Sequence, residues 1–116
     1  MAERRRSARL PLNLPAQLSA EGAGRTTVNV LDFSVLGALF QTEQPPPATG
    51  RPITLEFVVT MLSGVTEHLR LTARMLQTRK LEPDWLCGVR FDDHDTNPDL
   101  LTLDQFYLEQ YFERTE

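Results

Sequence analysis

A chain of 116 residues, 41% apolar and 24% charged, is of ordinary globular composition and long enough for one hydrophobic core. Its net charge of −4 argues against broad nucleic-acid binding, its single cysteine excludes an intrachain disulfide or a cysteine-based metal framework, and no apolar run approaches the roughly 20 residues that span a bilayer. The charged N-terminus has no apolar stretch of the kind a signal peptide carries, so a cytoplasmic location is the expectation.

Charge is unevenly spread. Residues 1–9 contain Arg4, Arg5, Arg6 and Arg9 against one glutamate, a net +3, so the remainder carries −7. They are read as a flexible arginine-rich arm. Eleven of the twelve basic residues are arginine, Lys80 being the exception. An arginine fork matches phosphates and guanine edges in a way that a lysine point charge does not.

From Leu10 the apolar residues Leu10, Leu12, Leu14, Ala16 and Leu18 alternate with Pro11, Asn13, Pro15 and Gln17, the period of a half-buried strand. The prolines fall on the outward face, which predicts an open edge or a bulge. EGAG (21–24) turns the chain, TTVNVLDFS supplies a second strand and GALFQT a third. EQPPPATG (43–50) is a loop. Ile53, Leu55, Phe57 and Val59 mark a fourth strand; Leu69, Leu71, Ala73 and Met75 a fifth; Trp85, Cys87, Val89 and Phe91 a sixth, with Trp85 expected to face the core. Six short strands with tight turns predict an all-β domain, a small six-stranded antiparallel β-barrel over residues 10–96.

Residues 97–116 change period. Asn97 is expected to cap a C-terminal helix, with Pro98 at its first position and Asp99 in its first turn. Leu100, Leu101, Leu103, Phe106, Tyr107, Leu108, Tyr111 and Phe112 cover a wide apolar arc. One face covers the barrel; the surplus either sinks deeper into the fold or binds a partner protein or a second copy as a homodimer.

Two stretches carry chemistry. DFSVLG (32–37) places a carboxylate, a hydroxyl and a glycine on one turn, where glycine permits a positive φ or close approach of a ligand to the backbone. An ionised Asp32 can accept two parallel N–H donors, such as those of guanine's Watson–Crick edge, while an arginine fork reads the Hoogsteen edge. Taken singly, RRRSAR reads as a solvated basic tail and DFSVLG as a hairpin turn. Together they bracket one strand and hairpin.

Arg4-Arg5-x-x-x-Arg9, followed by Asp32-x-Ser34-x-x-Gly37, resembles the paired signature of PilZ domains. RLPLNLPAQL, PITLEFVV, CGVRF and a C-terminal helix extend the resemblance over about residues 3–112. It implies a PilZ-like split barrel, a bacterial binding module with no enzymatic activity and no cofactor, whose ligand is cyclic di-GMP. By position, Arg5 and Arg9 would grip phosphate and the guanine Hoogsteen edge with Arg4 assisting; Asp32 and Ser34 would contact the other guanine or its phosphate, and Gly37 would keep the surface open. Motility regulation is among the outputs the resemblance brings with it. One departure is visible: family members often carry an aromatic residue in the fifth strand, where ARMLQTRK offers Met75 and Leu76. Two alternatives to a receptor stand beside it: an adaptor of the same fold that acts by protein contact without nucleotide, and an arginine arm on RNA or DNA, against which the −7 elsewhere weighs.

DDHD (92–95) reads as a solvated acidic loop in preference to a metal site, and Ser34 has no evident histidine to activate it as a nucleophile. Cys87 falls among the apolar set and is expected to be a packing residue.

Overall fold

The computed structural model describes residues 10–115. Six strands follow in order, β1 (Leu10–Ala20), β2 (Gly24–Phe33), β3 (Gly37–Thr42), β4 (Pro52–Thr60), β5 (Thr66–Leu81) and β6 (Asp84–Phe91), and then helix α1 (Leu100–Thr115). The strands close into an antiparallel barrel in the order β1-β2-β3-β6-β5-β4, with β4 returning to β1 through the Gln17–Glu56 to Ser19–Thr54 pairs. Closure leaves the barrel no unpaired edge strand.

The alternation seen in the sequence is the alternation of the wall. In β4 the buried residues are Ile53, Leu55, Phe57 and Val59; in β5 they are Leu69, Leu71, Ala73 and Met75. These meet Phe33, Phe40, Cys87 and Val89 in one core, capped by Leu100, Leu103 and Tyr107 of α1. Cys87 is fully enclosed. Trp85 is half-buried against the edge of the core, with the Lys80 ammonium 4.6 Å over its ring. The expected irregularity of β1 is a register shift between Pro11 and Leu14.

Strand β5 outruns its periodicity. A bulge between Met75 and Gln77 moves Leu76 out to 52% exposure, and pairing with β6 then resumes as far as Leu81–Asp84. An extra residue flips the phase of everything after it, so the apolar alternation stops while the strand continues.

The helix begins later than its capping signals predict. Asn97 is 1% exposed and does not cap α1 with its side chain. Its Oδ1 accepts from Thr72 N (2.6 Å) and Thr72 Oγ1 (2.9 Å), and its Nδ2 donates to Thr72 O (2.8 Å) and Asp92 O (2.9 Å). Asp99, next to the first helical residue, likewise accepts from Arg70 N on β5 (2.8 Å). Both polar side chains satisfy barrel backbone in preference to helix backbone, and they staple the chain to β5 before α1 starts.

Candidate functional site

The β2–β3 turn is built from its own residues. Ser34 N donates to Gly37 O (2.9 Å), and Ser34 Oγ accepts from Leu36 N (3.2 Å), a hydroxyl holding its own turn. Ser34 is 3% exposed. Phe91 N donates to Leu36 O (2.9 Å), which ties the turn to the end of β6.

Gly37 is not in the left-handed region: the positive-φ glycines among the described residues are Gly22, Gly24, Gly50 and Gly64. Its need for hydrogen in place of a side chain comes from the neighbouring strand. A Cβ there would stand 2.0 Å from Val89 O. Of the two reasons a glycine could be needed there, a positive φ does not apply, and the close approach is that of the β6 backbone.

Asp32 sits between Pro11 of β1 and Leu39 of β3 and is half-buried on the outer wall. Phe33 points the other way, fully buried, and packs on α1: its ring lies 6.0 Å from Phe106, nearly parallel, and 6.1 Å from Tyr107, tilted. The structure thus brings Asp32, Ser34 and Gly37 onto one turn. Arg4, Arg5 and Arg9 lie outside the described residues. The strand that follows them opens at Leu10, paired with Phe33.

Strand register extends this outer wall into three rungs. Pro11, Asp32, Leu39, Gly88 and Gln77 form one; Gly37, Arg90 and Arg74 form the next; Pro15, Asn29, Gln41, Leu86 and Arg79 form the third. The third is polar at one end. Asn29 Nδ2 donates to Asn13 Oδ1, Gln41 Nε2 donates to Asp84 Oδ2, and a groove of about 410 Å³ runs over Asn29, Gln41 and Asp84. Asn29, Gln41 and Asp84 were not marked by the sequence, because the rungs join strands that are far apart in the chain.

Charge on the opposite side is locally spent. Glu56, between β1 and β5, takes Arg25 at 3.4 Å, His68 at 3.4 Å and Arg70 at 3.9 Å. His94 of the DDHD loop pairs with Asp104 of α1 at 3.1 Å. Among the described residues no group of three His, Cys, Asp or Glu side chains is arranged to hold a metal ion, and no helix is long and apolar enough to cross a membrane. Burial pushes the Cys87 thiol up to about 11, so it stays protonated at neutral pH.

Compared with known proteins, residues 3–109 match the family model described as the PilZ domain. Among solved structures, the chain is similar to the PilZ domain of CeSA from a cellulose-synthesizing bacterium, at 23% identity and a TM-score of 0.59. That alignment covers 84% of this chain and 94% of the other. It is also similar to the Bacillus subtilis inhibitor of motility (MotI/DgrA), at 13% identity and a TM-score of 0.78, covering 97% of this chain and 54% of that one. At these identities the structural likeness is one of fold. No curated protein sequence matches the chain.

Proposed function

We propose that this chain, which belongs to the PilZ domain family, is a cytoplasmic receptor for cyclic di-GMP that passes the binding event to a protein partner. The observation that carries the reading is the placement of Asp32 on the outer wall and Phe33 on the core side of one dipeptide, beside the point where the arginine-rich stretch enters β1. A ligand held at Asp32 is then one residue from the ring that supports α1.

On this reading Arg5 and Arg9, assisted by Arg4, close over the ligand's phosphates and a guanine Hoogsteen edge, while Asp32 accepts donors from the other guanine. Ser34 already gives its lone pair to Leu36 N and keeps its O–H to donate. Fixing each residue of the arm costs about 1–2 kcal/mol, and each charge-assisted bond returns about 1.5–3 kcal/mol. The role is one of binding and relay, with no catalytic step.

Calorimetric titration with cyclic di-GMP tests the reading: wild type binds, while Arg9→Ala and Asp32→Ala lose the heat. Binding unchanged in both variants would sink it. A nucleotide-independent adaptor is the second reading, favoured by the outward stripe Leu101, Leu108 and Phe112 on α1, exposed at 69%, 50% and 58%. That stripe would take the partner, or a second copy of the chain. Wild type giving no heat at all while remaining folded selects the adaptor.

A further inference from the structure

We infer that Arg79 and Arg90 are ligand-contacting residues fixed to the barrel wall, which hold the cyclic purine dinucleotide from the β5–β6 side. The inference rests on the receptor reading above and deepens it.

Six arginine side chains are described between residues 10 and 115, and four are engaged. Arg25 and Arg70 face Glu56, Arg51 donates to Glu21 O and Arg74 donates to Gly50 O. Among the described residues the side chains of Arg79 and Arg90 have no hydrogen-bond or ion-pair partner, and both are exposed. Unpaired arginines on a surface need no explanation singly. These two share the outer wall that carries Asp32, and they bracket the one position of β6 with no side chain.

Their placement follows from register. Arg90 pairs with Gly37, on the rung beside that of Asp32; Arg79 pairs with Leu86, which pairs with Gln41. Gly88 lies between the two rungs, and a Cβ there would find only Gln77 Cγ, at 3.7 Å. The wall between the arginines is therefore a shallow floor of Leu39, Gly88 and Leu86, edged by Gln77. Four residues along β6 and one strand across put the two Cα atoms about 14 Å apart.

A flat, dianionic ligand with two purines fits such a floor with cations at both ends. Arg90, beside the Asp32 rung, offers a bidentate fork to a phosphate. Arg79 offers a planar guanidinium on which a purine can stack. The fifth strand has no aromatic residue to do this, since Met75 is buried in the core and Leu76 is taken up by the bulge.

The test is calorimetric titration with cyclic di-GMP of wild type, Arg90→Ala, Arg79→Ala, Arg79→Lys and, as a control of equal charge change on the other side of the barrel, Arg70→Ala. Thermal melting of each variant verifies that it is folded. Arg90→Ala and Arg79→Ala are expected to weaken binding about ten- to a hundredfold. Arg79→Lys stays weak because charge without a plane cannot stack, and Arg70→Ala stays within about twofold. If wild type binds and the Arg79 and Arg90 variants bind equally well, or if all three alanine variants lose affinity alike, the assignment is overturned while the receptor reading survives. If wild type itself does not bind, both fall together.

Discussion

Adding one methyl group at Gly37 has nowhere to go, because the atom it meets at 2.0 Å is the carbonyl oxygen of Val89. Backbone cannot rotate aside as a side chain can. Gly37→Ala must therefore part β3 from β6 or tilt the turn, and with it the bond from Ser34 N to Gly37 O. Overpacking of this kind costs about 1–3 kcal/mol in ordinary cores, and a rigid partner puts this site at the upper end. Urea unfolding should show a midpoint well below wild type; a midpoint within error of it would mean that the strands accommodate a side chain. The position was legible in the sequence as a glycine that mattered. Its reason was not, because Val89 is 52 positions away and only strand pairing brings it near. Cys87 makes a second residue-level case. Burial pushes its folded thiol up to about 11, above the about 8.5 of an unfolded one. The native state holds the proton more tightly, so this contribution is whole below about pH 8.5 and is lost as pH rises towards 11. Denaturation midpoints at pH 8 and pH 10 should fall more steeply in wild type than in Cys87→Ala. Equal slopes would remove the thiol from the account.

Among the elements, α1 has two unlike faces. Leu100, Leu103 and Tyr107 are buried on the barrel, whereas Leu101 and Leu108 stand in solvent. Leu103→Ala should cost about 2–5 kcal/mol, and Leu101→Ala should stay within about 0.5 kcal/mol as a surface change. Denaturant unfolding of the two variants decides it, and equal costs would show that the stripe is covered in solution. The sequence foretold the helix and its apolar width but not its starting point. Asn97, Pro98 and Asp99 carry every local sign of a helix entrance, yet Thr72 and Arg70 of β5 offered backbone groups whose bonds took the place of the capping bonds. The strands show the same division. Where alternation is unbroken, as in β4, the wall reads directly from the residues. Past the Met75–Gln77 bulge it does not, and nothing in the residues alone places Arg79 on the outer wall. A bulge is a local irregularity with a non-local consequence, since it determines which residues of β5 face the rungs of β2 and β3.

For the whole molecule, the receptor reading makes the two sides of β2 the link between the proposed ligand wall and the helix. Phe33 supports Phe106 and Tyr107 from within, and its neighbour Asp32 looks outward. Phe33→Leu keeps the apolar volume but loses the ring contacts. In wild type, cyclic di-GMP should slow amide hydrogen exchange along α1. In Phe33→Leu the ligand should still bind, with the slowing in α1 much reduced. Retention of the full effect would mean that the signal leaves the site by another route. The helix itself hangs from the barrel by Asn97, the side chain with four bonds to Thr72 and Asp92. Asparagines age by deamidation, when the backbone nitrogen of the following residue attacks the side-chain amide carbon. That residue is Pro98, whose ring nitrogen has no hydrogen to lose. The fastener between sheet and helix is thus chemically shielded from the commonest spontaneous lesion of its residue type, and the joint should outlast Asn13 and Asn29 of the same molecule.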